Sequence, residues 1–135
     1  MKFTLLDRIT SITRNKNVKA AKCLSLGEEY LADHFPGNPV MPGVLIIEAM
    51  AQVAGVLVLR EIPDRANKLV FLAGVDNAKF RRPVLPGDQL RIEMKVVKKK
   101  ASVAKMLGVA TVDGAVVAEV EVLCKLADRQ PKAPE

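Results

Sequence analysis

Polar and apolar residues alternate most strictly over residues 90–97. Leu90, Ile92, Met94 and Val96 fall on one side and Arg91, Glu93 and Lys95 on the other, the period of a half-buried strand. Residues 116–126 repeat the pattern, with Val116, Ala118, Val120, Val122 and Cys124 on one side and Glu119, Glu121 and Lys125 on the other. Between them, residues 103–112 read as a further strand, and Asp113-Gly114 is the dipeptide of a type I′ hairpin turn. Near the start, residues 3–12 and 18–26 read as two strands joined by the polar turn Arg14-Asn15-Lys16-Asn17. Residues 69–75 form a short apolar run, expected as a buried strand, and the two prolines and glycine of residues 83–88 demand a turn.

The period changes over residues 42–60. From Val44 to Leu59 the chain is apolar on every helical face except at Glu48 and Gln52, which marks a buried helix. Pro42 suits its first position, where a missing N–H loses no intrahelical bond, and Pro63-Asp64 stops it. Residues 28–33 are expected to form one helical turn. The order is therefore strand, strand, helix and four strands, an α+β chain. A helix apolar all round cannot be buried by one flat sheet, so the sheet must curl around it or a second subunit must cover the remainder.

The stretch His34-Phe-Pro-Gly-Asn-Pro-Val-Met-Pro-Gly43 leads into that helix. Its three prolines and two glycines make a stiff loop, and stiffness suits a side chain held in one geometry. His34 is the only histidine of the chain. Glu48 and Gln52, four apart, share one helix face. A carboxylate inside an apolar helix is costly to bury, and burial raises its pKa. Gln52 can orient it, although a purely structural Glu–Gln network is the competing reading. Gly43 falls at the helix N-terminus, where free N–H groups can hold a carbonyl oxygen that gains negative charge. Together these are parts for proton chemistry beside a carbonyl: a base that titrates near neutrality, a carboxylic acid and an oxyanion site.

Composition narrows the class without changing this picture. Half of the 135 residues are hydrophobic, enough for the core of one globular domain. That domain is expected over residues 1–127, with residues 128–135 as a flexible tail. Residues 1–12 show no apolar signal-peptide core, and Glu48, Gln52 and Gly55 argue against a membrane span. The two cysteines, Cys23 and Cys124, lack metal-ligand spacing and read as reduced core thiols of a cytoplasmic protein. A net charge of +6 without aromatic interleaving argues against nucleic acid. It describes a solvated basic surface or a docking face for an acidic partner, with clusters at Lys79-Phe-Arg81-Arg82 and Lys98-Lys99-Lys100.

The motif HFPGNPVMPG followed by Glu48 and Gln52 closely resembles the active-site segment of the 3-hydroxyacyl-acyl carrier protein dehydratases of bacterial type II fatty-acid synthesis. The resemblance continues through Asp76-Asn-Ala-Lys-Phe-Arg-Arg-Pro-Val-Leu-Pro-Gly-Asp-Gln-Leu90 and covers most of the chain. It implies the hot-dog fold, a curled antiparallel sheet wrapped around one long helix. It implies that His34 of one subunit takes the C2 proton of a (3R)-hydroxyacyl thioester. Glu48 of the other subunit would then protonate the departing hydroxyl. The resemblance gives Gly43 N–H the thioester carbonyl and the Val40 carbonyl the His34 tautomer, and places Phe35 and Gln52 at the substrate. It also implies no cofactor, an acidic acyl carrier protein as partner docking near Lys79, Arg81 and Arg82, and a homodimer, often assembled as trimers of dimers. Three departures stand out. Of the usual N-terminal HRxPFLLxDR only Leu5-Leu6-Asp7-Arg8 matches; a glycine is replaced by Asp33, which tolerates positive φ better than most residues but whose carboxylate beside His34 would favour the imidazolium and weaken it as a base; and the tail is unlike the family's. A hot-dog thioesterase and a non-catalytic acyl-thioester-binding protein are the competing functions.

Overall fold

A computed structural model of the protein describes residues 3–129. Its elements are β1 (Arg8–Thr13), β2 (Asn17–Cys23), α1 (Gly43–Arg60), β3 (Lys68–Phe80), β4 (Gln89–Lys100), β5 (Val103–Val112) and β6 (Ala115–Asp128). Short 3-10 turns, Glu29–Ala32 and Arg65–Asn67, precede the His34 loop and β3. The strands form one sheet in the order β1-β2-β4-β5-β6-β3, every neighbouring pair antiparallel. After β2 the chain crosses through the His34 loop and α1 to the far edge, makes β3, and returns to lay β4 beside β2. This is the expected hot-dog architecture.

The alternating strands bury the side predicted for them. Leu90, Ile92 and Met94 of β4 and Ala104, Met106 and Ala110 of β5 meet Met50, Val53, Ala54 and Leu57 of α1 in one core. Each large apolar side chain so buried contributes about 1.5–3 kcal/mol. A one-residue slip would turn all of them to solvent, so the register is firmly set. The hairpin turn is of the I′ kind, with φ of 50° at Asp113 and 79° at Gly114. Next to it the β5–β6 register shifts between Ala110 and Thr111. Val117 and Ala118 are therefore both buried, and Val116, expected inside, is only half-buried.

Several expectations change. Residues 3–7 precede β1 without joining the sheet. Residues 69–75 belong to a 13-residue strand that is largely exposed rather than buried. β3 pairs only with β6, and Phe71, Leu72, Val75 and Phe80 lie open along it. α1 is long and apolar enough by composition to cross a membrane, yet eight of its residues pack inside the fold. Its other face, including Val44, Ile47, Glu48, Ala51, Gln52 and Val56, is exposed or half-buried, because the sheet curls over only part of the helix. Cys124 is a core thiol, whereas Cys23 is exposed. β6 continues through Asp128, and the predicted tail beyond Arg129 lies outside the described residues.

Candidate active site

The His34 loop is stapled at both ends. Phe35 and Asn38 exchange backbone hydrogen bonds of 2.9 and 2.8 Å, Val40 N–H donates to the His34 carbonyl at 2.8 Å, and Met41 N–H donates to the carbonyl of buried Val84 at 2.9 Å. The His34–Phe35 peptide is cis. The His34 ring stacks on Phe35, centroids 4.0 Å apart, and its Nδ1 lies 2.8 Å from the Val40 carbonyl oxygen. A carbonyl can only accept, so Nδ1–H is the donor. In the neutral ring Nε2 is then the free basic nitrogen. Asp33 precedes it with φ −102°, so the replaced glycine is not needed for a left-handed backbone here.

Glu48 was expected deep inside and is instead half-buried on the open face of α1, so its desolvation within one chain is partial. Its Oε1 accepts from Gln52 Nε2 at 3.2 Å. The same Nε2 donates to the Phe3 carbonyl at 2.6 Å, and Gln52 Oε1 accepts from Leu5 N–H at 2.8 Å. Gln52 thus orients Glu48 and clamps the N-terminal segment on the helix, a second task without a sequence signature. Glu48 and Gln52 open on a cavity of about 430 Å³ between α1 and β3, floored by Ala51, Gly55 and Val56 and walled by Leu69–Leu72. Buried Cys124 lines it too, and burial pushes its thiol up to about 11, so it is not a ready nucleophile at neutral pH.

α1 begins at Gly43 after Pro42, and the N–H groups of a first helical turn have no intrahelical partner. A side chain at Gly43 would meet the Phe80 ring at 3.0 Å, so only glycine lets Phe80 lie across the helix start. Gly43, Val40, Val44 and Phe80 line a second hollow of about 470 Å³, with Arg81 and Arg82 at its rim. Phe80 carries no signal in the sequence, because it stands within a run that reads as basic. Arg81 is committed to Glu119 at 2.8 Å on β6, whereas Lys79 and Arg82 are exposed and have no ion-pair partner among the described residues.

Within one chain the predicted residues therefore gather in two places. His34, Phe35 and Val40 form one group, and Glu48 and Gln52 another, with Gly43 at the helix start. Among the described residues no hydrogen bond or ion pair joins His34 to Glu48. Among the described residues no cluster of three His, Cys, Asp or Glu side chains is placed to hold a metal ion.

Comparison with known proteins bears on this geometry. The family model described as "FabA-like domain" matches residues 1–121. The chain is 60% identical over 132 residues to a 3-hydroxyacyl-[acyl-carrier-protein] dehydratase FabZ of Solibacter usitatus, covering 98% of this chain and 81% of that protein. It is 49% identical to the enzyme of that name from an Anaeromyxobacter strain, over 95% of this chain and 83% of that protein. Among solved structures, the dehydratase heterocomplex ApeI:P of Xenorhabdus doucetiae superposes with a TM-score of 0.80 over 94% of this chain and 85% of that one. Its 19% identity speaks for the fold alone.

Proposed function

We infer the activity from one premise: the chain belongs to the FabA-like domain family, and within it to the 3-hydroxyacyl-[acyl-carrier-protein] dehydratases named FabZ. It dehydrates (3R)-hydroxyacyl thioesters to trans-2-enoyl thioesters in fatty-acid biosynthesis. The observation that carries this is 60% identity over 98% of the chain, a span that includes both the His34 loop and Glu48.

The geometry supports a division of labour. His34 Nε2 takes the C2 proton, its tautomer held by the Val40 carbonyl. The thioester oxygen, negative as the proton leaves, rests on Gly43 N–H at the helix start. Glu48, oriented by Gln52, gives its proton to the 3-hydroxyl, which departs as water. The proton on His34 and the one missing from Glu48 are then re-equilibrated with solvent. Two proton transfers and an oxyanion site suffice, so the reading needs no cofactor.

No hydrogen bond or ion pair joins His34 to Glu48 within one chain, and the working site takes His34 of one subunit and Glu48 of a second. The open face of α1 and the free edge of β3 are the surfaces that support a homodimer. The acyl chain occupies the cavity between them. The substrate arrives on an acidic acyl carrier protein in the cytoplasm, steered by a chain of net charge +6. Arg82 is the better docking cation than Arg81, whose charge Glu119 already answers.

Loss of enoyl-thioester absorbance on hydration tests this reading, comparing a carrier-bound with a short soluble substrate. Both should be hydrated. Arg82→Glu should raise KM for the carrier-bound substrate alone, and salt should mimic it by screening beyond a Debye length of ~8 Å. Absence of hydration with either substrate would refute the activity, and equal losses on both would move Arg82 into the acyl site.

A further inference from the structure

Lys22 is the one charged residue among the described residues that is buried. It continues an inward-facing series on β2. Val18 pairs with Met94, Ala20 with Ile92 and Lys22 with Leu90, all three partners belonging to the core. Directly opposed residues share a sheet face, so the alternation that should end on an apolar side chain ends on an ammonium. Such a group is costly to desolvate unless it is paired, and a local rule broken inside a core is where function is often found.

Its partners lie on two other segments. Lys22 Nζ donates to Glu28 Oε1 at 2.7 Å and sits 3.6 Å from Asp7 Oδ1. Asp7 Oδ2 in turn accepts Cys23 N–H at 2.7 Å. Burial acts to lower the Lys22 pKa, but the hydrogen bond and charge of Glu28 and the charge of Asp7 outweigh it and leave the group raised. Glu28 stands immediately before the 3-10 turn that ends at Ala32, two residues before His34, and its carbonyl accepts Leu31 N–H at 3.1 Å. Asp7 ends the N-terminal segment whose Phe3 and Leu5 are held by Gln52, the residue that also bonds Glu48. A path of side chains and the main chain of residues 3–7 thus runs from the lead-in of the His34 loop to Glu48 through Lys22.

We propose that Lys22 is a positioning residue for the dehydration: it fixes the entry of the His34 loop, through Glu28, against the N-terminal segment clamped on the Glu48 helix. The proposal rests on the assignment of His34 as the base. It explains why a lysine stands where an apolar residue would pack without desolvation cost. Displacing a reacting group by about 1 Å can cost on the order of 10²-fold in rate, so a tether on Glu28, at the start of the turn that leads into the His34 loop, matters to turnover.

The single histidine makes the test direct, because the imidazole nitrogen resonances of the full chain report His34 alone. Lys22→Met keeps the length and apolar stem and removes the ammonium. It should shift the His34 ring nitrogen resonances and reduce kcat by on the order of 10- to 100-fold, with KM within about twofold. Glu28→Gln retains an acceptor for Lys22 and should hold most of the activity, whereas Glu28→Ala should behave as Lys22→Met does. That pair decides the matter if Lys22→Met does not fold. Unmoved His34 resonances with wild-type kcat in folded Lys22→Met, or in Glu28→Ala, would make Lys22 a packing residue and overturn the proposal. The site assignment fails separately, if His34→Ala keeps its turnover; the His34 resonances of Lys22→Met still report whether Lys22 holds the loop.

Discussion

At the residue scale two side chains are each held by a named partner: the Val40 carbonyl holds the His34 tautomer, and Gln52, which also binds Phe3 and Leu5, orients the Glu48 carboxylate. A positioned proton-transfer group contributes about 10²–10⁴-fold. His34→Ala and Glu48→Gln should therefore each reduce kcat by at least on the order of 10²-fold while thermal unfolding stays near that of the parent. Neither side chain belongs to the buried core. Turnover near the parent rate in either variant, measured by enoyl absorbance, removes that residue from the mechanism. These residues were legible because their types are unusual where they stand, a lone histidine opening a proline-rich loop and a carboxylate on an apolar helix. Gln52's clamp on Phe3 and Leu5 was not legible, since backbone groups leave no mark on the residues that carry them. Phe80 was hidden for a related reason: only the approach of its ring to Gly43 distinguishes it from any other apolar strand residue.

At the element scale, α1 and β3 are each half of something. Periodicity located α1 closely, with a predicted span of 42–60 and an observed one of Gly43–Arg60. Periodicity alone could not show which face the sheet leaves open. The sequence predicts a strand only over residues 69–75, because Asp76, Asn77 and Lys79 break the apolar run, and the register shift between Asp76 and Lys79 absorbs them into a longer strand. A 13-residue edge with open Phe71, Leu72 and Val75 is an aggregation hazard unless something covers it, and a second copy of β3 is the covering the proposed dimer supplies. Val75→Lys places a charge on that edge. A buried valine is worth about 1.5–3 kcal/mol, and a twofold interface contains it twice. Sedimentation at micromolar concentration should show the dimer of Val75→Lys weakened by at least on the order of tenfold, with hydration activity falling in step. An unchanged dimer would put the interface elsewhere.

At the scale of the whole molecule, one curled sheet and one helix make a fold that hosts several chemistries, and architecture alone does not choose among them. The thioesterase and binding-protein readings fit the same architecture; the family relationship selects the dehydratase. What the single chain leaves separate, the His34 group and the Glu48 group, is the reason the central claim concerns two chains. Mixing His34→Ala with Glu48→Gln chains, after reversible dissociation, tests that claim most directly. In a mixed dimer one site receives both altered residues and the other receives neither. Random reassortment should therefore return enoyl-thioester hydration to about one site in four, from two parents that are each inactive. A mixture as inactive as its parents, although mixed dimers are shown to form, would contradict a site shared between subunits and place His34 and Glu48 in the same chain's chemistry or in none.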